Sequence, residues 1–214
     1  ANCSGTRAQS TGDRTISAGL SSGASGLNAI AIGDKTISTS NDTVAIGEKA
    51  RATNSQSIAI GSSSSSSGSY SVAIGLNAKA TNGWSVALGN SSGTVAAVST
   101  STMAVGGKTY QTAGGTAMGT LSVGNEAVKR TVTNVAAGRV TESSTDAVNG
   151  SQLFAITQSV NENTQNIAQN TAKIISNTTE INKIKDGKGF TDKGKNGIRD
   201  LANGSVKVIA GTNT

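Results

Sequence analysis

Apolar and small residues alternate along the first half of the chain in a phrase that returns every fourteen positions. It reads Ala29-Ile30-Ala31-Ile32-Gly33, then Thr43-Val44-Ala45-Ile46-Gly47, Ser57-Ile58-Ala59-Ile60-Gly61, Ser71-Val72-Ala73-Ile74-Gly75 and Ser85-Val86-Ala87-Leu88-Gly89. A fixed period of this length means that one small structural unit is stacked on itself. Within a unit the period is two, which predicts a short strand with its β-branched residues on one face. Three and five residues after each Gly comes a second pair of small residues, Ala50 and Ala52, Ser64 and Ser66, Ala78 and Ala80, suited to a second, closely packed strand. Turn-prone residues such as Thr53-Asn54, Gly68-Ser69 and Thr81-Asn82 lie between. Two strands of about five residues and two tight turns fill fourteen positions, and neighbouring coils then stack at roughly 4.8 Å. A parallel β-roll of seven or eight coils follows.

The pattern runs past the clear repeats. Gly5 and Gly19 continue the period backwards as degenerate coils, and Thr102-Met103-Ala104-Val105-Gly106 and Thr116-Ala117-Met118-Gly119 read as further coils after an inserted loop around Ser91 to Ser101. Asp42, Gln56, Tyr70 and Trp84 occupy equivalent, variable places just ahead of the strand. Tyr70 and Trp84 fall next to each other there and read as a cap on the roll's edge or as a contact patch.

From residue 153 to 186 the period changes to seven. Val160, Ile167, Ile174 and Ile181 recur at one seam position, Asn163, Asn170, Asn177 and then Ile184 three residues later, and Leu153 and Ile156 extend the seam upstream. This is a heptad pattern and predicts a coiled coil. β-Branched residues in one seam row leave the oligomer state open, while Asn layers fix register at a cost in stability. In a three-stranded coil the amides of Asn163, Asn170 and Asn177 point inward and donate to a shared anion.

Composition narrows the picture. Of 214 residues 27 are Gly, none is Pro or His, and 2% are aromatic. Ile, Val and Ala cannot fill a wide interior at native density, so the core is thin. With about three apolar residues per fourteen a lone roll is marginal against the cost of ordering its backbone. Lateral association, burying the outer small-residue faces, is therefore expected. The net charge of +6 is spread along the chain, with nine basic and five acidic residues up to Arg130 and nine and seven beyond. No basic stripe interleaved with aromatics supports nucleic-acid binding. Cys3 stands alone, and without His the usual metal sites cannot form within one chain. Gly189 to Asn196 nearly matches a phosphate-binding loop but follows a coiled coil and has Asn196 where Ser or Thr is required. No active site is legible, so the chain is read as no enzyme, without metal or cofactor.

These motifs together resemble the trimeric autotransporter adhesins, the YadA-like surface proteins of Gram-negative bacteria. The fourteen-residue Ser-Val-Ala-Ile-Gly repeat looks like their head. Asn134-Val135-Ala136-Ala137-Gly138 with Asp146-Ala147-Val148-Asn149-Gly150-Ser151-Gln152-Leu153 looks like their neck, and the Val/Ile-x-x-Asn-Thr heptads look like their stalk. The resemblance implies a β-solenoid plus coiled coil: a trimeric left-handed parallel β-roll head (1–133), a neck (134–152) and a parallel three-stranded coiled-coil stalk (153–186). Residues 187–214, including Ser205-Val206-Lys207-Val208-Ile209, match none of the three and start a further stalk or head module. It also implies chloride on the trimer axis at Asn163, Asn170 and Asn177. The implied partners are two further copies of the chain, host extracellular-matrix proteins and cells or surfaces, with self-association. The implied place is the bacterial cell surface, anchored in the outer membrane through a C-terminal domain missing from this sequence. A phage-type fibre without an adhesive ligand is the alternative. An ice-binding solenoid is disfavoured because Thr36, Ala50, Ser64 and Ala78 give no regular Thr array.

Overall fold

The computed structural model describes residues 1–186 and 191–205. Two compact units result, Ala1–Ala147 and Val148–Thr214.

The first unit is a roll built from two parallel sheets. Eight strands, including Ile16–Ala18, Ile30–Ile32, Val44–Ile46, Ile58–Ile60, Val72–Ile74 and Val86–Leu88, stack in chain order on one side. Six shorter strands, from Gln9–Ser10 to Lys79–Ala80, stack on the other. Register is kept at fourteen residues throughout: Val72 lies between Ile58 and Val86, and Ser65 between Arg51 and Lys79. The strands have three and two residues rather than five, because each coil spends the remainder on two corners. Each corner contains one residue with a left-handed backbone, in the rows Arg14, Asn28, Asp42, Gln56, Tyr70, Trp84 and Arg7, Ser21, Lys35, Lys49, Ser63, Asn77, Ser91. The repeating Gly is fixed by geometry. At Gly47 φ is +128° and an added Cβ would lie 2.6 Å from the carbonyl group of Gly61 in the next coil.

The interior reverses the expected distribution of side chains. Ala31, Ala45, Ala59, Ala73 and Ala87 are fully buried, as are Ala50, Ala52, Ala78 and Ala80, together with Ser and Thr. Ile and Val point outward. The coil is so flat that only the small side chains of Ala, Ser and Thr fit between its sheets, and larger chains are forced to the other side of the pleat. Interior hydroxyls pair with each other: Ser38 with Thr43 at 2.7 Å, Ser66 with Ser71 at 2.6 Å, and Ser17 with Ser22 at 2.8 Å. Ser57 faces Ala52 across the coil, and its Oγ is buried without a partner.

A second correction concerns residues 94–120. Thr102–Val105 is not a coil of the roll. It pairs antiparallel with Lys108–Gln111 in a hairpin turned by Gly106 and Gly107, at φ +57° and +78°. Two successive left-handed glycines reverse the strand, whereas a coil's single Gly lets it proceed to the next sheet. The Thr116–Gly119 phrase is likewise no strand, and the roll resumes at Leu121, which pairs with Val86.

In the second unit α1 spans Gly150–Lys185, 36 residues or about 54 Å at the usual helical rise. Asn149 and Gln152 form a capping box at its start, and Lys183 and Lys185 face the negative end of its dipole. None of its residues is buried. A second helix, α2, covers Asp192–Ser205, so the end of the near phosphate-loop sequence is helical. Gly189, Phe190 and Val206–Ile209 lie outside the described residues.

Candidate functional site

Four surfaces of the chain have distinct chemistry. The first is the outer face of the longer-stranded sheet. Ile16, Ile30, Val44, Ile58, Val72, Val86 and Leu121 form one ladder, and Ile32, Ile46, Ile60, Ile74 and Leu88 a parallel one. Ile16, Ile32, Ile74 and Leu88 are exposed in the isolated chain. The opposite sheet shows Gln9, Gly23, Ile37, Arg51, Ser65 and Lys79. One face is thus a continuous aliphatic strip and the other a mixed polar surface. A continuous aliphatic strip left exposed to water marks an interaction site.

The second is the corner row ahead of the long strands. Arg14 Nε donates to Asn28 Oδ1 at 2.7 Å, and Asn28 Nδ2 donates to Asp42 Oδ1 at 2.6 Å. Further along, Tyr70 and Trp84 stack with ring centroids 4.2 Å apart and planes 14° from parallel. The sequence places these two side by side, and the structure brings them into contact.

The third is the end of the roll. The Arg130 guanidinium donates to the carbonyl oxygens of Val123 and Asn90 and to Ser92 Oγ, tying the last coil to the segment that follows. The sequence does not single out this residue, because two of its three partners are backbone carbonyls and the third, Ser92, is one serine among many. Beyond it, Arg139 binds Asp146 through Nε at 2.8 Å and Nη2 at 3.1 Å. The side-chain bond from Arg139, with a further one from its backbone, holds the Asp146 carboxyl below its ordinary pKa and raises that of Arg139.

The fourth is the seam of α1. Asn163, Asn170 and Asn177 recur at seven-residue intervals along it, exposed in the single chain like Val160, Ile167 and Ile174. Thr164 and Thr171 donate to the carbonyls of Val160 and Ile167, absorbing their hydroxyls within the helix. Among the described residues no group of three His, Cys, Asp or Glu side chains is placed to hold a metal, and no helix is long and apolar enough to cross a membrane. A shallow groove of about 450 Å³ runs beside Gly23, with Arg7 and Ile37 at its margins.

The roll and helix match family models in the same order. Residues 10–36, 24–50, 38–64 and 66–92 match the YadA head domain repeat, and residues 131–176 match the coiled stalk of trimeric autotransporter adhesin. The chain belongs to the trimeric autotransporter adhesins. The chain spans only part of the length of the relatives it matches. The autotransporter adhesin BtaE of Brucella suis biovar 1 (strain 1330) is 49% identical over 69 residues, which is 32% of this chain and 9% of BtaE. The C-terminal YadA-like domain of a Burkholderia pseudomallei protein is 43% identical, with a TM-score of 0.51 over 60% of this chain and 57% of that one. The collagen-binding domain of the Yersinia adhesin YadA is 26% identical, with a TM-score of 0.50 over 71% of this chain and 87% of that domain.

Proposed function

We propose that this adhesin acts as a homotrimer that attaches a bacterial cell to host extracellular matrix, cells or surfaces by repeated weak contacts. The aliphatic strip is the observation that supports this best. A lone roll leaves it in water, and packing three rolls through it buries both ladders while the polar sheet and the corners stay free for ligands. The heptads of α1 assemble in the same stoichiometry, with Asn163, Asn170 and Asn177 facing the axis and holding chloride. Attachment to the outer membrane then belongs to a C-terminal anchor domain, as the family implies, and contacts between like heads allow self-association. Three identical faces convert modest contacts into avidity.

The test is binding to immobilised collagen, laminin and fibronectin by surface plasmon resonance. The trimer should bind at least one of them, and a double variant Ile167→Asp/Ile174→Asp that dissociates the stalk should lose about 10²- to 10⁴-fold in avidity. A trimer that binds no matrix protein and no cell would instead be a structural fibre segment. For the anion, crystals soaked in bromide should show anomalous peaks on the three-fold axis at the Asn layers, and empty layers would refute it.

A further inference from the structure

The corner row is a column of planar groups: the Arg14 guanidinium, the Asn28 amide, the Asp42 carboxylate, the Gln56 amide, the Tyr70 phenol and the Trp84 indole. Each lies one coil above the last, and the rings of Tyr70 and Trp84 are in face-to-face contact. The column ends at Trp84 for a specific reason. Because Val86 pairs with Leu121, the residue in register with Trp84 on the next rung is Gly119. It has no side chain to lay on the indole, and none can be added, since a Cβ there would collide with the carbonyl group of Trp84. Trp84 is accordingly 56% exposed although one of its faces is covered by Tyr70.

The surroundings of that ring select a ligand chemistry. No Asp, Glu, Lys or Arg occurs between Lys79 and Lys108, so neither a cation nor an anion finds a counter-charge on this segment. Polar groups are neutral. Thr120 donates its backbone N–H to Ser85 Oγ at 3.0 Å, and Asn82 Oδ1 accepts from Thr94 Oγ1 at 2.9 Å. The Asn82 Nδ2 has no partner among the described residues. An aromatic plate fixed from behind, on a segment without charged side chains and with the Asn82 amide two residues away, suits a ring with an apolar C–H face and hydroxyl edges.

We propose that Trp84, backed by Tyr70 and uncovered by Gly119, is a binding site for a neutral hexopyranose ring of a glycan. The site rests on the adhesin reading and gives one class of its ligand, displayed once per protomer. Since Trp84 is the single tryptophan of the chain, its fluorescence reports the site directly. The full chain should be titrated with lactose, maltose and N,N′-diacetylchitobiose, with acyclic sorbitol as control and a (Pro-Pro-Gly)10 peptide as competitor. At least one disaccharide should give a saturable change and sorbitol none. Saturation-transfer NMR on that sugar should show about tenfold or greater weakening in Trp84→Ala and retention in Trp84→Phe, both with unchanged circular dichroism. No saturable response to any of the three sugars, undiminished binding by Trp84→Ala, or a response to the peptide alone would overturn the site. Failure here in a trimer that still binds matrix proteins leaves adhesion standing. Saccharide binding by a trimer that adheres to nothing would keep the site and overturn the adhesion reading.

Discussion

At the scale of the residue, size outranks hydrophobicity. Ala and Ile alternate in every long strand, and hydrophobicity alone would turn Ile inward. The flatness of the coil decides the opposite. One signal of this was present in the sequence: the position held by Ala45, Ala59, Ala73 and Ala87 never varies in size over those coils, whereas its neighbours interchange Ile, Val and Leu. Ala73→Leu should therefore destabilise the roll by about 1–3 kcal/mol through overpacking, while Val72→Ala should leave the fold intact and weaken association. Thermal unfolding of the full chain separates the two, with a larger fall in the roll's melting temperature for Ala73→Leu than for Val72→Ala while the stalk keeps both at the wild-type mass. The hydroxyl pairs give a sharper contrast. Ser57→Ala removes a buried group with no partner and should be neutral or stabilising by up to about 1 kcal/mol. Ser71→Ala removes the hydroxyl that bonds Ser66 Oγ and the Gly68 carbonyl, while Ser66 still donates to the Ser71 carbonyl, and should cost about 0.5–1.5 kcal/mol. Equal effects of the two substitutions would contradict the assignment.

At the scale of the element, period was legible and its interruption was not. The fourteen- and seven-residue repeats place the roll and α1 because one unit's pattern is reinforced by the next. Thr102 to Gly106 imitates that unit, and only Gly107, where a coil carries a side chain, betrays the hairpin. The same insertion hides the register that sets Gly119 beside Trp84, so half of the aromatic site was readable and half was not. Arg130 was invisible for another reason, partners that are mostly backbone carbonyls. Arg130→Ala should open the end of the roll, seen as faster amide exchange across Val86–Leu88 with little change near Val44. Asp146 offers a pH test. Its folded pKa is depressed, so the contribution of its pair with Arg139 is present above the ordinary carboxylate value and is lost as pH falls through the folded pKa. NMR titration should find the Asp146 carboxyl below the ordinary aspartate range, and Arg139→Ala should raise it. No rise on that substitution would show that the ion pair does not form in solution.

At the scale of the whole molecule, the chain is incomplete alone. Its aliphatic strip and the entire seam of α1 face water in a single copy, a burden that a thin Ala and Ser interior does not offset. The Asn layers predict a trade of stability for register. Asn170→Ile should raise the melting temperature of the stalk while permitting mixed registers or oligomer states, as seen by mass and cross-linking. The central claim is that the outward Ile and Val ladders are the contact between copies. It is tested most directly by light scattering on the full chain beside the double variant Val72→Lys/Val86→Lys. The wild type should have a mass near three times 21.1 kDa with a cooperatively unfolding roll. The variant, tethered by its stalk, should keep that mass but lose the roll's unfolding transition at the original temperature. A folded wild-type monomer, or a lysine variant whose roll melts unchanged, would contradict the account.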